Sequence, residues 1–112
     1  MIFSKSEATC VQNGGHLVSI HNGFTNVFVI QEAKKYMKDA TDFWIGATKN
    51  NNAKTWQWTD GSTFDFDEWK YGRPDNSSLT DCSILPVSDG YWIAQSGLEK
   101  KPFVCATGST NL

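Results

Sequence analysis

Side chains able to do chemistry gather between Asp60 and Asp81, in a stretch rich in Gly, Pro, Asp, Asn and Ser. Within it Lys70, Tyr71, Arg73 and Asn76 offer hydrogen-bond donors and aromatic surface of the kind enriched at protein interfaces. Asn76-Ser77-Ser78 is also an N-glycosylation sequon, a short and weakly specific signal. A loop of this length inside a small domain is usually functional. Its aromatics Phe64, Phe66, Trp69 and Tyr71 suggest that it is pinned to a core.

The nucleophiles and metal-binding types elsewhere are sparse. Cys10, Cys82 and Cys105 form neither a CxxC pair nor a zinc spacing, and the odd count leaves at least one thiol without an internal partner. His16 and His21 follow the first predicted helix with no serine motif or metal spacing around them. A Cys82–His nucleophile pair stays open on sequence, but hydrogen-bonded structural histidines are the ordinary reading, and no enzyme is expected.

The elements that must position these groups are legible in the periodicity. At 112 residues the chain is expected to form one domain, 1–112, with a single modest core. Five Trp, seven Phe and three Tyr with 20% charged residues describe a folded domain rather than a disordered segment. A net charge of −2 gives no long-range attraction to nucleic acid, and no apolar run approaches the roughly 20 residues needed to span a bilayer. Met1–Ser6 has no apolar signal-like core.

Ser4-Lys5-Ser6-Glu7 fits a capping box opening a helix through Ala8, Cys10 and Val11, stopped at Gly14-Gly15. Leu17–Ile20 reads as an extended link. A second helix is predicted to start at Asn22 or Thr25 and run to about Lys38, burying Val29, Ala33, Tyr36 and Met37. From Phe43 the pattern changes to short strands at 43–46, 55–58, 82–85, 90–94 and 102–105, with a turn at Thr59-Asp60-Gly61-Ser62. Helices first and strands afterwards imply an α+β domain.

Ala8-Thr9-Cys10, Gly14–Ile20, Asn26, Trp44-Ile45-Gly46-Ala47, Trp58–Ser62, Trp69, Gly72, Pro74-Asp75-Asn76, Asp81-Cys82, Trp92 and Pro102–Cys105 together resemble the ordered landmarks of the C-type lectin family. The resemblance spans nearly the whole chain. It implies two helices and a curled antiparallel sheet with a long ligand loop. It also implies a Cys10–Cys105 disulfide, and it puts Gly97 where the usual partner of Cys82 stands, which leaves Cys82 a free thiol. A buried apolar role for that thiol is the ordinary expectation over pairing with another molecule. The family's first strand, which pairs with the last, has no counterpart here. A bare edge would favour a homodimer or a chain belonging to something longer.

The resemblance carries a calcium and sugar site that this chain has largely lost. Calcium takes six to eight oxygen ligands. The key tripeptide is Arg73-Pro74-Asp75, and a guanidinium has no acceptor. Thr80, Ile93 and Ala94 stand at further ligand positions, and Lys49, Ala53, Asn76 and Asp81 at the auxiliary site, leaving Asp75 and Asp81 as residual metal candidates. Pairing of Arg73 and Lys49 with acids such as Asp75 and Asp81 is expected to stand in for the ion. No cofactor is therefore expected, calcium included. The implied function is an extracellular ligand-binding module acting through residues 60–81 without calcium, with a protein or glycan partner. Its candidate residues are Arg73, Asp75, Asn76, Tyr71 and Lys70. The competing expectation is a carbohydrate-binding lectin, calcium-independent or with weak residual calcium binding.

Overall fold

The computed structural model describes residues 1–50, 55–71 and 80–107. Its elements are α1 (Phe3–Gln12), β1 (Gly15–Leu17), α2 (Gly23–Tyr36), β2 (Asp42–Asn50), β3 (Thr55–Trp58), β4 (Cys82–Pro86), β5 (Ile93–Gln95) and β6 (Cys105–Thr107). The strands form an antiparallel sheet in the order β3-β2-β4-β5 and a small ladder of β1 with β6. The α+β expectation holds.

The start of α1 departs from the capping box. The helix begins one residue ahead of Ser4, with Ile2 as N-cap and no side-chain cap. Phe3 makes the difference: its ring packs edge-on to Trp44 at 5.5 Å, and its N–H donates to Gly97 O at 3.0 Å. Glu7 is thereby released from capping. Its carboxylate bonds the His16 imidazole and accepts from the Leu17 N–H at 2.9 Å, tying α1 to β1. Gly14, at φ 89°, ends the helix in the left-handed region where glycine carries no Cβ penalty.

Asn22 caps α2, its side-chain oxygen accepting from Thr25 N–H at 2.8 Å. Val29 and Ala33 are buried, as the stripe requires, and Asn26 is buried beside them, but the helix stops at Tyr36 and that ring is 72% exposed. Met37 is partly buried against the core as expected, and with Tyr36 it lines an open groove against Phe103–Ala106. Helical phase predicts which way a side chain points, not whether a neighbour covers it.

Strand β2 carries the structural centre. Phe43, Trp44, Ile45 and Ala47 are all fully buried. The ladder to β4 shifts between Ile45 and Thr48, and the Ser83 hydroxyl donates to Ala47 O at 2.8 Å across the irregularity. At Gly46 an added Cβ would meet Leu17 O at 2.8 Å, so only glycine lets β2 close on that segment. The 90–94 and 102–105 strands sit further along the chain than their apolar runs suggest. Gly90 turns at φ 76°, and Phe103 makes only one isolated bridge, with Trp44. Cys10 and Cys105 form the expected disulfide, with Cα atoms 5.5 Å apart.

A hydrogen-bonded hub joins α2 to the strands: Trp92 Nε1–H donates to Asn26 Oδ1 at 2.8 Å, and Asn26 Nδ2–H donates to Gly90 O at 3.0 Å, all buried. Replacing Asn26 by Ala orphans one donor and one acceptor at once. The expected loss is about 2–6 kcal/mol, taking roughly 1–3 for each unsatisfied group. Urea denaturation checks it, and a loss under ~1 kcal/mol would show that the hub is not stabilising.

Candidate functional site

The first half of the 60–81 stretch is pinned as its aromatics suggest. Phe64 stacks on Trp58 at 5.1 Å, Phe66 and Trp69 lie edge-on to Trp92 at 6.1 and 5.5 Å, and Trp69 meets Trp56 at 4.7 Å. Backbone bonds fix the same segment, from Trp92 N–H to Glu68 O at 2.8 Å and from Lys70 N–H to Trp92 O at 3.0 Å. Trp92 is wholly buried, so it offers no platform to a ligand, whereas Tyr71 stands fully in solvent at the end of the pinned segment. Lys70 Nζ pairs with Asp89 at 2.9 Å. The Asp89 carboxyl is held below its usual range first by the Tyr91 N–H and then by Lys70. Arg73, Asp75 and Asn76, with the sequon, lie outside the described residues.

Beside this segment runs a polar relay that the sequence did not announce. His21 Nδ1 meets Asp65 Oδ1 at 2.8 Å, and its Nε2 lies 3.0 Å from Ser62 Oγ. Ser62 and Ser19 both bond the Asp60 carboxylate. Burial opposes ionisation of Asp60, yet the hydroxyls of Ser19 and Ser62 outweigh it and hold the carboxyl below its ordinary value. Carboxylate, imidazole and hydroxyl in this order resemble a nucleophilic triad. However, the Ser62 N–H, which an oxyanion would need, is already donated to Asp60 Oδ1 at 2.8 Å, and the Ser62 hydroxyl is committed to the same carboxylate. The relay fastens the 59–65 turn to the 19–21 link. His16 is likewise paired, with Glu7, so each histidine has a structural partner. The signals lie 41 and 44 residues apart in sequence, beyond any local motif.

At the described positions where the family resemblance implies calcium ligands, Thr80 and Asp81 alone carry a side-chain oxygen. Ile93 and Ala94 have no side-chain oxygen, and Ala94 is buried. Asp81 Oδ1 accepts the Gly97 N–H at 3.2 Å, and Asp81 O accepts from the Lys49 N–H at 2.8 Å and the Thr48 hydroxyl at 3.0 Å. Lys49 Nζ stands 6.0 Å from the Trp56 ring centre.

Cys82 is a buried free thiol. Burial first, and the Asp81 charge second, push it up to about 12, so it is a thiol and not a nucleophilic thiolate at neutral pH. A Cβ added at Gly97 would lie 2.9 Å from Cys82 Sγ. That is close to the roughly 3 Å from Cβ to the far sulfur that an S–S bond of ~2.05 Å implies.

Two helices, a curled four-stranded sheet and a second ladder that brings the last strand onto the first helix, closed by a long-range disulfide, define a C-type-lectin-like domain. Residues 1–107 match the family model described as lectin C-type domain, and the chain belongs to that family. It is 31% identical over 107 residues to the galactose-specific lectin nattectin of Thalassophryne nattereri, covering 95% of this chain and 67% of that protein. It is 32% identical over 95 residues to the C-type lectin BfL-2 of Bungarus fasciatus, covering 82% of this chain and 60% of that one. Among solved structures, a calcium-independent type II antifreeze protein superposes with a TM-score of 0.74 at 30% identity, covering 94% of this chain and 77% of that one. The chain thus spans about two thirds of the lectins' length.

Gly97→Cys is expected to bridge to Cys82, removing that free thiol and stabilising by up to about 3 kcal/mol for a loop of roughly 15 residues. Thiol titration in denaturant counts the bridge. Gly97→Ala, with the same Cβ and no bond to form, is expected to lose about 1–3 kcal/mol by overpacking.

Proposed function

We propose that this domain is an extracellular ligand-binding module that works without calcium and recognises a protein partner through the 60–81 region. The observation that carries the reading is the state of the described calcium positions: Ile93 and Ala94 offer no side-chain oxygen, and Asp81 Oδ1 accepts the Gly97 N–H. The antifreeze relative, described as calcium-independent, supports the idea that this fold does without the ion. Extracellular placement is supported by the Cys10–Cys105 bridge, since such bonds persist in oxidising compartments. No helix among the described residues is long and apolar enough to cross a membrane. A binding role, not a catalytic one, agrees with the commitment of the Ser62 hydroxyl and N–H to Asp60.

On this reading Tyr71 is the exposed aromatic anchor, with Arg73, Asp75 and Asn76 following it in the chain and Lys70 setting its root through Asp89. Interfaces draw on Tyr and Arg more than on other residues. The second reading is a sugar-binding lectin, favoured by the similarity to a galactose-specific lectin. A buried Trp92 and a packed Trp69 weigh against it, because stacking on a sugar needs an open aromatic face, and of the three aromatics considered Tyr71 alone has one.

Calorimetry with calcium is expected to show no binding tighter than about 1 mM, the weak end of extracellular calcium modules. A glycan array run with and without chelator is expected to be blank. Chelator-sensitive sugar binding would overturn the proposal, and sugar binding indifferent to chelator would establish the second reading.

A further inference from the structure

We infer that His21 is a positioning residue whose ring must carry both of its protons for the turn at the head of the 60–71 segment to be fully fastened. The tie between the 19–21 link and that turn then depends on a proton.

Three contacts run in series: Asp65 Oδ1 to His21 Nδ1 at 2.8 Å, His21 Nε2 to Ser62 Oγ at 3.0 Å, and Ser62 Oγ to Asp60 Oδ1. Each needs one hydrogen between its two atoms. Both ends of the series are carboxylates, which only accept when ionised. All three hydrogens must therefore come from the imidazole and the hydroxyl between them. Ser62 has one. A neutral imidazole has one more, and one contact is left with two lone pairs facing each other. An imidazolium has two, and the count closes. The Ser19 hydroxyl and the Ser62 N–H cannot make up the shortfall, since both are donated to Asp60, at 2.6 and 2.8 Å.

A protonated carboxyl could supply the missing hydrogen, but both acids are held in the ionised form. Asp65 lies below the ordinary carboxylate range, first through the His21 bond itself. Asp60 lies below it too, because burial, which opposes ionisation, is outweighed by the hydroxyls of Ser19 and Ser62. These two acids are the charged groups facing the ring from the turn. From β3 the ring meets Trp58 at 5.9 Å, and α2 has no charged residue before Glu32. An imidazolium here sits between two carboxylates.

The direction follows from the count. With the ring protonated all three contacts are made, and as pH rises through its titration one is lost. Falling pH leaves the tie intact until the carboxylates themselves protonate, below their usual value of about 3.9. The His21 side chain is 34% exposed and that of Asp65 56%, so water screens the pair and the effect is local. Phe64, Phe66 and Trp69 hold the residues beyond the turn in either state. An effect on a partner at Tyr71 rests on the reading proposed above, whereas the proton dependence of the turn does not.

NMR of the ¹⁵N-labelled whole chain between about pH 5 and 8, where histidines titrate, tests the inference without any ligand. At the acid end both His21 nitrogens are expected to carry hydrogen. As the ring loses one, the Ser62 and Asp65 amides are expected to shift with the same midpoint. Exchange of the Ser62 N–H, taken relative to its intrinsic rate at each pH, rises at least about threefold. His21→Gln, neutral at every pH, is expected to abolish the transition at these amides. His16→Gln is expected to keep it, because His16 pairs with Glu7 instead. Amides that do not follow the ring's titration overturn the inference, and so does a transition that persists in His21→Gln or vanishes in His16→Gln. The wild-type titration alone decides the matter if His21→Gln fails to fold.

Discussion

The indole of Trp92 is fixed by one buried hydrogen bond to Asn26, and three parts of the molecule depend on that ring staying in place. Its backbone bridges the 68–70 segment, its ring faces meet Trp58, Phe64, Phe66 and Trp69, and its neighbours Ile93 and Ala94 continue into β5 against β4. Asn26 in turn reaches Gly90 O, so one polar side chain on α2 positions the strand, the turn before it and the loop. A polar group in such a place stabilises only because both of its functions are met; an apolar residue there would leave Trp92 Nε1 and Gly90 O dry and unpaired.

Much of this was legible in the sequence because it follows from local rules. Asn22 as a cap, Gly14 as a stop and the unbroken apolar run around Trp44 are each decided within a few residues. The pinning of residues 64–69 was legible too, since aromatics in a polar stretch have few reasons to be there other than contact with a core. What local pattern could not reveal was competition. Ser4 and Glu7 satisfy a capping box on paper, but Phe3 gains more by entering the core against Trp44, and Glu7 is then free to hold His16 and Leu17. Tyr36 satisfies the helical stripe, but no described element covers it. The signal for its exposure was present in part: Phe24, Val27 and Phe28 form a second apolar set out of phase with Val29 and Ala33, and one helix cannot bury both against one core.

The candidate site divides at Tyr71. Up to Trp69 the sequence pattern and the packing agree, Tyr71 departs from it by standing in solvent, and beyond it Arg73, Asp75 and Asn76 rest on residue type alone. The cysteines divide in the same way. Cys10–Cys105 is made, while Cys82 faces Gly97, where a missing side chain leaves room for its sulfur and little else.

The contacts supply a physical account of how residues 60–71 are held in place. Aromatic pairs contribute on the order of 0.5–1.5 kcal/mol each beyond the area they bury, and five of them join this segment or its Trp58 anchor to the core. Four carboxylates in or beside this segment accept from local donors: Asp60 from two hydroxyls, Asp65 from His21, Asp89 from Lys70 and the Tyr91 N–H, and Asp81 from the Gly97 N–H. Each of these partners is a neutral or cationic donor near one acid, which offsets that acid's negative charge locally. Residues 60–71 are therefore held by stacking and by local hydrogen bonds and ion pairs.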